Sequence, residues 1–238
     1  MLLRGLSNID PVQMIIQMLY FIPIALITIV VHECSHGYIA YKLGDPTAKM
    51  MGRLTANPIK HIDPFGLIMF VVVGFGWAKP VPINPRYFKN PKKGMAITAA
   101  AGPISNILMA VAGAVIVNIL AILAYLFNLH NVILTSAFNF LSYFIMLNVW
   151  FAVFNLIPIP PLDGSRIVSY FLSPKLSYYY NYVERYGFIV LILLLNLGRF
   201  SKYLDFTVPL QVVSGWVLNG IYFVVDLIFT PLFKLLGG

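Results

Sequence analysis

Long uncharged apolar runs, separated by short polar clusters, dominate this chain. Met14 to Val31 carries no charged residue, and a run of that length predicts a helix able to cross a bilayer. The pattern predicts five spans. The first covers about Gln13–Tyr41 and stops at Leu43-Gly44-Asp45-Pro46, and the second covers about Gly94–Leu126. The third, about Ser136–Leu156, is ended by Pro158, Pro160 and Pro161; Tyr182–Leu197 and Val208–Leu232 follow. Between the first two, the apolar piece Phe65–Gly76 is too short to span and sits among Gly74, Gly76, Pro80, Pro82, Pro85 and Pro91. It reads as a re-entrant or interfacial segment, a β-hairpin in place of a helix. The expected fold is an all-α integral membrane protein of about five to six transmembrane helices, with that β-hairpin loop between the first two core helices. Residues 1–238 form one polytopic domain, with a core over about 12–172 and additional C-terminal helices over about 178–235.

Composition supports the bilayer. The chain is 60% hydrophobic and 10% charged, against about 25% charged in soluble domains. The net charge of +8 raises nucleic acid as a partner, but nine of the sixteen Lys/Arg fall between Lys42 and Lys93. That clustering marks a cytoplasmic loop under the positive-inside rule, near anionic headgroups, and argues against nucleic acid. On the five-span layout Arg166, Lys175, Arg185 and Lys234 join the cytoplasmic side, leaving Arg4, Arg199 and Lys202 outside. The N-terminus does not resemble a removable signal peptide. The single Cys34 excludes an internal disulfide.

The chemistry lies in Val31-His32-Glu33-Cys34-Ser35-His36, at the inner end of the first span. His32 and His36 are one helical turn apart on the same face and can share a metal, and Glu33 can serve as general base to a water there. Two imidazoles and a carboxylate at membrane depth call for a functional reason. Catalytic zinc takes three protein ligands and leaves a position open. Among the eight acids, Asp163 follows the helix broken by three prolines and is the expected third ligand, with Gly164 permitting the turn. Capping of the helix beginning at Ser165 is its other reading. Both clusters then lie at the same depth on the cytoplasmic side.

HECSH and Asn155-Leu156-Ile157-Pro158-Ile159-Pro160-Pro161-Leu162-Asp163-Gly164 together resemble the site-2 protease family of intramembrane zinc metalloproteases. Gly102-Pro103-Ile104-Ser105-Asn106 is similar to that family's G-x-x-x-N element, and Gly74-Phe75-Gly76-Trp77 with Pro80–Pro85 resembles its membrane-inserted β-loop. The resemblance covers roughly residues 15–170 and shows no sign of PDZ or CBS domains, which suggests a minimal form. It implies one Zn2+ per chain on His32, His36 and Asp163, with Glu33 as base and proton shuttle. Asn155, Asn106 and Gly102 are expected near the substrate or its oxyanion, although a membrane Asn can equally bond between helices. The strand Phe70–Trp77, with Gly74, Phe75, Gly76 and Trp77, is either a clamp adding to an unwound substrate or an interfacial anchor. His61 is expected in the solvated loop, and Cys34 as packing.

The expected function is hydrolysis of peptide bonds in membrane-spanning protein substrates near the cytoplasmic face of the cell membrane. A zinc transporter, or a binding protein that retains the metal site without turnover, are the alternatives. Glu33 beside the ligands and the absence of a polar path through Phe21–Val31 weigh against transport.

Overall fold

The computed structural model describes residues 11–73, 76–197 and 205–236. Its helices are α1 (Pro11–Lys42), α2 (Thr47–Met50), α3 (Pro64–Val73), α4 (Pro91–Leu126), α5 (Val132–Asn155), α6 (Asp163–Phe171), α7 (Pro174–Leu197) and α8 (Thr207–Leu235). Short 3-10 turns occupy Pro58–His61 and Pro85–Tyr87. Side-chain caps set two of the long helices: Asn90 accepts the Lys93 N–H at the start of α4, and Asn131 accepts the Leu134 N–H at the start of α5. Helix α4 is the hub and packs on α1, α5, α6 and α8. Small residues let it approach: Ala110 and Ala114 are fully buried, and a Cβ on Gly113 would lie 2.9 Å from Ile145.

Among the described residues four helices are long and apolar enough to cross a membrane, namely α1, α4, α5 and α8. These make the chain a multi-pass membrane protein. The expected span Tyr182–Leu197 falls in α7 (Pro174–Leu197), whose described side chains include the apolar stretch Arg185–Leu197. Tyr125, at the far end of α4, donates its hydroxyl to the Leu236 carbonyl at the end of α8. Lys234 therefore sits at the end of the bundle opposite the basic loop, whereas the sequence placed it on the loop's side.

The piece between α1 and α4 also differs from expectation. Among the described residues there is no strand, only one isolated antiparallel bridge between Ile62 and Ala78. Residues Pro64–Val73 are helical because Pro64 is preset for a first helical turn and the Asp63 carboxylate caps it, accepting the Gly66 N–H at 2.8 Å. Helix α3 climbs back along α1 until Phe70 stacks on Phe21, ring centroids 6.1 Å apart. The chain has returned by Gly76, where a Cβ would lie 2.2 Å from the Gly66 carbonyl oxygen. The segment is thus re-entrant in course, and its rising limb is a helix.

Candidate metal centre

Two of the site's acceptors stand on a continuous helix and the third arrives on broken backbone. His32 and His36 project from the same face of α1 and are buried. After α5 ends, Pro158–Leu162 turns the chain back, and a Cβ on Gly164 would lie 2.1 Å from the Leu156 carbonyl oxygen. Glycine is therefore needed there for close approach. Asp163 is the first residue of α6, whose cap position is Leu162, so its carboxylate does not serve as the helix cap. It faces α1 instead.

The three ligand atoms form a nearly equilateral triangle. His32 Nε2 and His36 Nε2 are 3.0 Å apart, and Asp163 Oδ2 lies 3.1 Å from the first and 3.3 Å from the second. Zinc bonds of about 2.0–2.1 Å in a tetrahedron place neighbouring ligand atoms about 3.3 Å apart. The other ring nitrogens show which atoms are lone pairs. His36 Nδ1 lies 2.7 Å from the Thr98 carbonyl, which only accepts, so Nδ1 carries the proton and Nε2 the lone pair. His32 Nδ1 donates in the same way to Asn106 Oδ1 at 2.6 Å. Two lone pairs and a carboxylate oxygen thus converge on one point, an arrangement that suits a cation. A metal ligand here must be the ionised carboxylate.

Helix α4 supplies the wall behind the histidines. Thr98, Gly102 and Asn106 follow one another at four-residue intervals along one face. A Cβ on Gly102 would lie 2.5 Å from His32 Cε1, His36 Cε1 and His36 Nε2, so glycine here makes room for both rings. Asn106 is fully buried, and its amide donates to Asn148 Oδ1 at 3.0 Å and to the Thr28 carbonyl at 3.5 Å. With both ends engaged it has no donor for an oxyanion. Gly102 and Asn106, expected near the substrate, sit against the two imidazoles. Asn155, at the end of α5, donates one amide hydrogen to the Phe151 carbonyl at 2.9 Å.

Glu33 faces another neighbour. Its Oε2 accepts the Val81 N–H at 2.8 Å, and Val81 is the one donor between Pro80 and Pro82. The Val81 side chain is buried close to Gly37, where a Cβ would lie 2.9 Å from Val81 Cγ1. Cys34 packs as expected, its thiol donating to the Thr55 carbonyl at 3.2 Å. His61 does not lie in solvent. It is 1% exposed, with Nε2 donating to the Thr55 carbonyl at 2.9 Å, because the 3-10 turn that carries it folds against α1.

The clamp expected over Phe70–Trp77 is corrected for its first part: residues 70–73 are helical, and helical backbone offers no edge to pair with. Gly74 and Phe75 lie outside the described residues. Gly76 packs on Gly66, and Trp77 meets Phe188 of α7 edge to face, ring centroids 4.8 Å apart. Sequence reasoning missed Thr98, Val81 and Asn148. Asn148 had a signal, because it lies seven residues before Asn155 on the same helical face, within an apolar span.

Comparison with known proteins bears on the family. The model of "Peptidase family M50" matches residues 119–195, the stretch that carries Asp163. "Putative zinc metalloprotease YwhC" of Bacillus subtilis is 42% identical over 175 residues, covering 74% of this chain and 79% of that protein. "Putative zinc metalloprotease Rip2" of Mycolicibacterium smegmatis is 27% identical, covering 71% of this chain and 64% of that protein. Its namesake from Mycobacterium tuberculosis H37Rv is 24% identical over 208 residues, covering 85% and 71%. No solved structure matches.

Proposed function

The chain belongs to peptidase family M50 and is a zinc metalloprotease, and on that premise we propose that it cuts membrane-spanning protein substrates within the bilayer, using one zinc held by His32, His36 and Asp163. The observation that carries the reading is the triangle of three acceptor atoms, brought together by helices far apart in sequence. Held by these three residues, zinc would supply Lewis-acid chemistry, polarising the scissile carbonyl and lowering the pKa of the attacking water. The Glu33 carboxylate, oriented by the Val81 amide, takes the proton that water gives up and delivers it to the leaving amine nitrogen. Asn155 keeps a second amide hydrogen for the developing oxyanion.

The basic loop supports a cytoplasmic active site in the cell membrane. Twelve described Lys/Arg, from Lys42 to Arg185, belong to that end of the bundle, and Lys234 alone to the other. Metal content of detergent-purified protein tests the reading. Wild type and Glu33→Gln should each hold one zinc, and Asp163→Ala should lose it. In proteoliposomes, only wild type should cut a reporter transmembrane helix. Zinc-free wild type, or cleavage by Glu33→Gln, would overturn the assignment.

A further inference from the structure

Behind His32 the hydrogen bonds continue past Asn106 into a third helix. Asn106 Nδ2 donates to Asn148 Oδ1 at 3.0 Å, and Asn148 Nδ2 donates to the Phe144 carbonyl at 2.9 Å, one turn earlier on α5. Both asparagines are 0% exposed. The direction of every bond is fixed from the far end. Phe144 offers a backbone carbonyl, which only accepts, so Asn148 must turn its nitrogen toward it and its oxygen toward Asn106. Asn106 must then turn its nitrogen toward Asn148, and the Thr28 carbonyl at 3.5 Å enforces the same choice. Its oxygen is left for His32 Nδ1, which has to carry a proton, and His32 Nε2 is left as the lone pair.

We propose that Asn148 is a positioning residue for the metal centre: it locks the Asn106 amide the right way round and thereby holds His32 in the tautomer that can bind zinc. The inference rests on the function proposed above. Without the Asn148 acceptor, the Asn106 amide is free to flip. A flipped amide presents Nδ2 to the ring, favours the proton on Nε2, and points a donor at Asp163 where a ligand is needed. Partners that hold a ligating histidine from behind are worth about 10- to 100-fold in metal affinity. Asn148 differs from a plain packing residue because it acts through Asn106 alone.

The test is the zinc dissociation constant of the full chain in detergent, measured by chelator competition. Asn148→Leu should weaken zinc by about tenfold or more. Asn148→Asp, neutral when buried, keeps an acceptor for Asn106 and a donor for Phe144, and should stay within about threefold of wild type. It also decides the matter if the leucine variant does not fold: a tenfold loss in Asn148→Asp overturns the proposal. In an Asn106→Asp background the carboxylate has no wrong way round, so adding Asn148→Leu should cost nothing further; a further tenfold loss would show packing alone. Wild-type zinc affinity in Asn148→Leu also overturns it. Zinc-free wild type instead removes the proposed function, so the two failures are distinguishable.

Discussion

The two sides of α1 at the site are built from different materials. The face that carries His32 and His36 lies against helices, and its hydrogen bonds run to the Thr98 carbonyl and the Asn106 amide of α4. The next face round carries Glu33 and lies against a loop, whose contribution is the Val81 backbone N–H. Metal binding needs fixed lone pairs in a fixed tautomer, which interlocked helices supply. Proton transfer needs one carboxylate held at the right angle, and a proline-stiffened loop suffices. The difference implies that metal affinity and turnover can be damaged separately, from opposite sides of one helix.

The sharpest separation should come from Glu33→Gln. Turnover in proteoliposomes should fall by about a hundred- to ten-thousandfold while zinc stoichiometry stays at wild type. Next comes Gly102→Ala, whose Cβ would meet both imidazoles at 2.5 Å. Zinc affinity, read by chelator competition, should fall on the order of tenfold to a hundredfold. On the opposite face, Gly37→Ala would press on Leu54 at 2.6 Å and on Val81 at 2.9 Å. Overpacking of about 1–3 kcal/mol should shift Val81 and lower turnover with zinc affinity unchanged. If Gly37→Ala loses zinc and Gly102→Ala keeps it, the division between the two faces is wrong. The smallest effect is expected from Asp45→Asn. Buried Asp45 accepts the Asn84 N–H at 2.6 Å and the Thr47 N–H at 3.0 Å, pinning the far end of the Val81 loop. The amide can accept at only one of these places. The loop should lose about 1 kcal/mol of local stability, seen as faster proteolysis between Asn84 and Pro91.

The three residues that the structure brings together were legible because their pattern is local: an i, i+4 histidine pair, and an aspartate after a broken helix. Four of the five expected spans follow from runs of apolar residues and became α1, α4, α5 and α8. What could not be read depended on contacts between distant segments. Phe65–Val73 has the composition of a strand, yet the Asp63 cap and packing on Phe21 make it helical. Gly102 and Asn106 could be found by motif, but their task became visible only with the imidazoles in place. Val81 contributes through its backbone, which a side-chain pattern does not encode.

The route by which Asp163 reaches the histidines has a further consequence. Residues 32 and 163 lie on different helices with α4 and α5 between them in the chain, so an ion shared by them is a cross-link across the whole bundle. It acts as a buckle fastened after the strap has been wound: open, it leaves α6 without that tie to α1, and closed, it joins the strap's two ends. Loading the protease then also stabilises its fold, because the free energy of binding is shared with the contact it closes.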